Sequence, residues 1–291
     1  MTQQKKEMFG AYPGIKQIIR NLPFEDYISQ PGYMHQSDLK SINESLNHYE
    51  LKKERKPSEA QRIGTMGHTF IHEFGDINDR YLVIPSGDGR TKAVKDLRTR
   101  ANEQAKAEGK ILITQDEFQM GFQWRESAMA DPLLRSMFEA DKSNHEVSAY
   151  WEYKHAGRNF GACMRMDFYG ESIGVIIDSK FMQTGSPKSF YRDVWKYGYY
   201  IQCAWYLDGI KAITGQDFKF LFLVVEKSFP WNVQLYEIDQ DWIDKGKEDI
   251  GKALDKLIDY GSTTDLKLKK RKLGYYDGIC TLKMKGNNGS L

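Results

Sequence analysis

Cysteine is scarce in this sequence: Cys163, Cys203 and Cys280 lie far apart and are odd in number. That excludes a disulfide framework and a four-thiolate metal cluster within one chain, and a reducing cytoplasm is the expected compartment. Long apolar runs are also missing. No stretch approaches the roughly 20 residues that a membrane-crossing helix needs, and residues 1–20 lack the apolar centre of a signal peptide, so neither secretion nor membrane association is expected. Internal repeats and low-complexity tracts are absent ahead of the C-terminal tail. Neither sign of charge dominates, with 42 Lys+Arg against 40 Asp+Glu, yet residues 261–291 hold seven Lys/Arg against Asp265 and Asp277. A polyanion could meet that basic tail. What the 291 residues do contain is 40% hydrophobic and 13% aromatic side chains, enough for a packed core and unlike a disordered, collagenous or purely coiled-coil chain.

The first half reads as mainly helical. A loop enters a short helix within 33–49, with Ser37 or Asp38 as N-cap and Leu39, Ile42 and Leu46 as its apolar stripe; further helices are expected over 64–74, 90–109 and 115–140. At His145 the texture changes. Residues 146–154 and 159–169 alternate around Ala156-Gly157, a hairpin signal, and 173–180 is an apolar run suited to a buried strand. Helical spacing returns over 189–213, a strand pair over 218–226 and 232–238, and a last helix over 241–260.

Chemistry concentrates at Asp167 and Asp178-Ser179-Lys180. Residues two apart on a strand share a face, so Asp178 and Lys180 project together where the buried run ends, and Asp167 closes the preceding strand. Two carboxylates and an ammonium converging on one spot call for a compensating charge such as a divalent metal. With oxygen ligands and no Cys or His-pair chemistry around them, Mg²⁺ or Mn²⁺ is expected rather than Zn²⁺. Such a site suits phosphodiester hydrolysis, with Lys180 orienting or helping to deprotonate the attacking water. An isolated acidic-x-Lys triplet is otherwise a common solvated strand end.

Several segments in one order extend the pattern: Tyr33-Met34-His35-Gln36-Ser37-Asp38-Leu39-Lys40, Gly64-Thr65-Met66-Gly67-His68, Gly89-Arg90-Thr91-Lys92, Tyr150-Trp151-Glu152, Asp167, Asp178-Ser179-Lys180, and Tyr199-Tyr200-Ile201-Gln202 through Tyr206. In these the chain resembles the PD-(D/E)xK nucleases, and among them the RecE-type exonucleases (exodeoxyribonuclease VIII-like) related to lambda exonuclease. The resemblance implies that Asp167 and Asp178 bind metal with the Ser179 carbonyl as a further ligand, that Lys180 is the catalytic lysine, and that His68 reaches the metal. It implies an extra acidic residue, Glu146 or its competitor Glu152, and places Gln202 and Tyr206 on one helix face beside the DNA backbone. Met166 stands where the family name has proline, and Phe181 where a small hydroxyl residue is common.

Other residues take plainer readings. His68, His72 and Glu73 lack the Glu after the first His that a zincin needs, so zinc is not expected. The aromatics Phe190, Tyr191, Trp195, Tyr197, Tyr199, Tyr200, Trp205 and Tyr206 are assigned to helix-to-core packing. Arg90, Lys92, Lys95, Arg98 and Arg100 form a basic patch able to grip phosphates, and Arg165, two residues before Asp167, is expected to face a terminal phosphate.

The expected fold is α/β (α+β): a mixed central sheet of about five strands flanked by helices, with a helical N-terminal section. Residues 1–30 form an arm, 31–260 a single nuclease domain (helical 31–143, catalytic core 144–260), and 261–291 a basic tail. The resemblance implies Mg²⁺- or Mn²⁺-dependent degradation of linear double-stranded DNA from its 5′ end, leaving a 3′ single strand for recombination. It also implies a ring-like homo-oligomer, trimer or tetramer, and a single-strand annealing protein as partner. The rivals are a RecB- or Cas4-like nuclease, a restriction endonuclease, or a catalytically silent DNA-binding module; three scattered cysteines argue against the Cas4-like iron–sulfur version.

Overall fold

The computed structural model describes residues 15–52, 58–84 and 90–262. The basic tail and its lysines at 267–272 lie outside the described residues. In chain order the elements are β1 (Lys16–Ile19), α1 (Phe24–Ser29), β2 (Tyr33–Met34), α2 (Gln36–Glu44), α3 (Leu46–Leu51), α4 (Glu59–His72), a short α5 (Ile77–Arg80), β3 (Tyr81–Val83), α6 (Lys92–Glu108), β4 (Ile111–Ile113), α7 (Gln115–Ala130), α8 (Pro132–Ala140), β5 (His145–His155), β6 (Arg158–Gly170), β7 (Val175–Met182), α9 (Pro187–Lys196), α10 (Tyr199–Thr214), β8 (Lys219–Glu226), β9 (Val233–Tyr236) and α11 (Gln240–Ser262). No helix among the described residues is long and apolar enough to cross a membrane.

The mixed sheet runs β1-β5-β6-β7-β8-β9, with β2 added parallel beside β6; β3 and β4 form a separate parallel pair. It therefore has seven strands where about five were expected. The additional two are β1 and β2, of four and two residues, too short to show alternation in a sequence. β1 lies within the segment 1–30 expected as an arm, and its Lys16 to Ile19 pair antiparallel with Trp151 to Ser148. The β5–β6 hairpin turns at Ala156 and Gly157, with φ of 47° and 71°, the left-handed pair that matches strand twist.

Helix boundaries follow local chemistry. The N-cap of α2 is His35 instead of Ser37 or Asp38; Asp38 sits one turn inside and accepts from the His35 N–H at 2.8 Å. Helix α4 starts earlier than Gly64, at a capping box of Ser58 and Gln61. The helix expected over 115–140 breaks into α7 and α8, because Pro132 has no N–H to continue the first and Asp131 caps the second through the Leu134 N–H at 2.9 Å. The expected helix over 189–213 likewise divides at Tyr197 and the left-handed Gly198.

Two apolar layers enclose the sheet. On one face Leu39, Ile42 and Leu46 of α2 and α3 meet Trp205 of α10 and Leu254 and Leu257 of α11 over Val147, Met164, Met166, Ile176 and Phe222. On the other, Phe70 of α4, Trp124 of α7, and Leu134 and Phe138 of α8 cover Phe168, Ile177 and Leu223. Met166 and Phe168 are two apart on one strand yet lie in opposite layers. The alternation resets between them, opposite Glu146, whose φ is 53°.

Candidate active site

The site is a fork in the sheet. Strands β6 and β7 pair only through Phe168↔Ile177, Tyr169↔Ile176 and Gly170↔Val175, and then part. In that register the next residues are Asp167 and Asp178, facing each other where the ladder opens. On the other side of β6, His145↔Phe168 and Val147↔Met166 leave Glu146 opposite Asp167. Three carboxylates thus lie on three adjacent strands, Glu146 and Asp167 across the β5–β6 ladder and Asp178 where β7 departs from β6. Like charges directly across a sheet oppose pairing, and here the backbone finds other partners: the Ser179 N–H donates to Asp167 Oδ2 at 2.6 Å.

Helix α10 fills the fork. Its Tyr206 hydroxyl donates to the Arg165 carbonyl at 2.9 Å and its Trp205 indole to the Cys163 carbonyl at 3.1 Å, satisfying carbonyls on the β6 edge between β2 and β7. Gln202, buried, donates through Nε2 to Asp178 Oδ2 and accepts from the Lys180 ammonium at 3.1 Å. Lys180 ion-pairs with Asp178 Oδ1. Its ammonium lies 4.7 Å from the Tyr199 ring centroid.

Helix α4 approaches from the opposite layer. His68 Nδ1 stands 3.0 Å from Asp167 Oδ2 and 3.8 Å from Glu146 Oε1. One turn on, His72 places Nε2 2.7 Å from the Ser179 hydroxyl and Nδ1 3.0 Å from His145 Nδ1. One ligand atom each from His68, His72 and Asp167 falls within 4.8 Å of the others. A pair of imidazoles therefore does accompany the carboxylates, where His68 alone was expected to reach the metal. The reason is helical: His68 and His72 are four apart and share the face that α4 turns to the sheet. Close approach is possible at Gly67, where a Cβ would overlap the Phe181 ring. That ring packs edge-on to His68 at 5.6 Å and against Trp124 at 5.0 Å, which accounts for a large residue after Lys180.

Charge shapes every titration here. Burial raises the Asp178 carboxyl above its ordinary value, against the pull of Lys180 and with help from Asp167. Burial and then Asp167 push Glu146 up to about 7. Asp167 moves the other way: His68 overcomes burial and holds it well below the carboxylate range. For His68, burial lowers the pKa, but Asp167 and Glu146 outweigh it and raise the imidazole to about 9. His72 and His145 are lowered chiefly by burial, His145 to about 4. Lys180 stays protonated, with Asp178 offsetting its burial. The three carboxylates face Lys180, Arg165 and a protonated His68. Asp178 Oδ1 is buried against the Lys180 ammonium. One ligand atom each from His68, His72 and Asp167, with the Asp178 and Glu146 carboxylates beside them, fits a divalent cation, a mixed O/N donor set that suits Mn²⁺ as well as Mg²⁺.

The structure thus brings together His68, Glu146, Asp167, Asp178, Ser179, Lys180 and Gln202. Glu152 is elsewhere, accepting from Asn159 at 3.1 Å. Two expectations are corrected. Arg165 faces no open phosphate position: its guanidinium is held by Glu146 at 2.7 Å, by the Leu22 carbonyl at 2.7 Å and by Ser148 at 3.2 Å. Tyr206 is buried on the β6 carbonyls and presents nothing to DNA. Arg90 and Lys92 are exposed at the start of α6, which packs on β3 and β4, away from the fork. Among the aromatics assigned to the core, Phe190, Tyr200, Trp205 and Tyr206 are buried, whereas Tyr191, Trp195 and Tyr197 are exposed.

Two residues of the motif segments, Tyr199 and Lys40, were given no role at the site by the sequence. Tyr199 carries Lys180 on its ring and also lies 5.5 Å from the Lys40 ammonium. Lys40 of α2 is lowered to about 7 by burial and then by the charge of Lys180. Only the folding of α2 beside α10 makes Lys40 part of the site.

A family model described as a PDDEXK-like domain of unknown function (DUF3799) matches residues 34–265. A search of curated proteins gave no match. Among solved structures, a candidate exonuclease from Eubacterium rectale superposes with a TM-score of 0.56 at 16% identity, over 82% of this chain and 85% of that one; this likeness is one of fold. The protein SSO0001 reaches a TM-score of 0.38 at 12% identity, over 83% and 84% of the two chains. Rai1 of Candida albicans, solved with pU5 and Mn²⁺, reaches 0.27 at 11% identity, over 87% and 78%. Both of these are too slight to bear on this chain.

Proposed function

Because the chain belongs to the family of PDDEXK-like domains of unknown function (DUF3799), we propose that it is a divalent-metal-dependent nuclease working at the β6–β7 fork. The observation that carries this reading is the meeting of buried Asp167 and Asp178 with Lys180 at the fork, with His68 beside them. Asp167, Asp178 and His68 would hold the cation. Bound there, a divalent ion would supply Lewis acidity to the scissile phosphate and its attacking water. Lys180, fixed by Gln202 and Tyr199, stabilises the charge that grows on the phosphorane. Lys40 gives the phosphate a second cation. Glu146, poised near neutrality and steadied by Arg165, accepts the proton of the attacking water as the new P–O bond forms and the bond to the leaving oxygen breaks.

The finer reading is a RecE-type exonuclease that degrades one strand of linear duplex DNA from the 5′ end, and it rests on the ordered motifs from Tyr33 to Tyr206. The test uses a 5′-phosphorylated, end-labelled duplex and a closed circular control, with Mg²⁺ or Mn²⁺. Wild type is expected to shorten the linear substrate alone, and Asp178→Asn and Lys180→Met to lose at least about 100-fold in rate while keeping their thermal transitions. Equal rates in wild type and both variants would refute the nuclease; cutting of the circle would retain the site and overturn end dependence.

A further inference from the structure

Helix α9 presents an unusual outer surface. Lys188, Arg192 and Lys196 are four apart and form one exposed ridge, and Tyr191 and Trp195, also four apart, form the next. Tyr191 is 59% exposed and Trp195 56%. Neither ring is loose. Trp195 stacks on Tyr200 with centroids 5.5 Å apart and an interplanar angle of 17°, and Trp242 of α11 contacts Tyr191 at 5.5 Å and Trp195 at 5.6 Å. Each ring is thus supported from the protein side while much of its surface faces water, so an incoming planar group meets aromatics already held in place. The surface continues to the fork. The Lys196 ammonium sits 4.9 Å from the Tyr197 ring, Tyr197 is 5.7 Å from Tyr199, and Tyr199 is 4.7 Å from the Lys180 ammonium.

We propose that this face of α9, Tyr191 and Trp195 beside Lys188, Arg192 and Lys196, binds an unpaired nucleic-acid strand by base stacking and phosphate contact and leads it to the β6–β7 fork. The proposal rests on the nuclease reading for the role of the fork and adds the substrate form. In a duplex the base faces are covered by their neighbours, so supported solvent-facing rings select a stretch that is single-stranded. The cations supply sequence-independent attraction to its phosphates. The only acid of α9, Asp193, is half-buried. A polyanion with exposed π faces matches both ridges, whereas a purely apolar partner would leave three cations unanswered.

The test is binding without metal, so that it stands whether or not cleavage is ever seen. Quenching of tryptophan fluorescence and anisotropy are measured with an oligothymidine of about a dozen nucleotides, an abasic phosphodiester of equal length, and a blunt duplex. Wild type is expected to prefer the oligothymidine to the abasic strand. Tyr191→Ala with Trp195→Ala should reduce oligothymidine affinity about 10-fold or more and leave abasic binding unchanged, Trp195→Phe should restore most of the loss, and replacing Lys188, Arg192 and Lys196 by Gln should flatten the salt dependence. Equal binding of the two single strands by wild type would overturn the proposal. So would an aromatic double variant that binds them as wild type does but sediments as a smaller species, which would make the face a contact between copies of the chain. Failure of metal-dependent cleavage with intact stacking would reject the nuclease reading alone.

Discussion

At His68 a proton and a metal ion compete for one imidazole. In the metal-free fold Asp167 and Glu146 overcome burial and hold its pKa near 9, against an ordinary 6.5. Binding a cation must displace that proton. Titration calorimetry of Mn²⁺ at pH 7 in two buffers of different ionisation enthalpy should show proton release that is smaller by about one proton in His68→Gln; no buffer dependence in wild type would refute the arrangement. The same shift has a stability sign. A raised folded pKa adds stability that is complete below about 6.5 and lost as pH climbs through about 9. The Tm advantage of metal-free wild type over His68→Gln should therefore shrink across that window. Lys40 has the opposite sign: its ammonium is held down to about 7 by burial and Lys180, so the fold gains as pH rises from about 7 toward 10.5. Replacing it with Met should raise the Tm at neutral pH while weakening phosphate binding, a trade of stability against function. An unchanged or lower Tm at pH 7 would argue that its charge is well solvated.

Elements place these residues through close packing. Helix α4 comes near enough to the sheet for His68 to reach Asp167 because Gly67 leaves room for Phe181. Gly67→Ala should cost about 1–3 kcal/mol by overpacking and weaken metal binding, since the displaced ring abuts His68. Adding Phe181→Leu should recover part of both losses, as a double-mutant cycle in chemical denaturation would show; strict additivity would mean that the contact is not what matters. Much at this scale was legible. The run 173–180 marks β7 because a strand covered on both faces is continuously apolar, and Ala156-Gly157 marks the hairpin because its backbone needs left-handed residues. The split of α7 from α8 is legible in hindsight from Asp131-Pro132. β1 and β2 were not, since their pairing is supplied by distant strands and their own residues are too few to form a pattern.

For the whole molecule, a site of three carboxylates spread over β5, β6 and β7 ties its own electrostatics to global stability. A cation that binds only the folded form should raise stability by about 2.7 kcal/mol at 100 times its Kd. Mn²⁺ or Mg²⁺ should accordingly raise the Tm of wild type and leave Asp178→Asn nearly unmoved; equal shifts in both would place the ion elsewhere. The amino-acid order alone determined the layered α+β class, the strands that carry Asp167, Asp178 and Lys180, and the helix that carries His68, because periodicity and strand alternation are local properties of the chain; β6 and β7 run on past Asp167 and Lys180, to Gly170 and Met182. Only the tertiary structure decided that Glu146 and not Glu152 joins them, that Arg165 and Tyr206 turn inward, that His72 and Lys40 come near, and that Tyr191 and Trp195 stay outside. Those outcomes depend on which distant surface each side chain meets, and an aromatic at helical spacing reads the same whether a neighbouring helix covers it or water does.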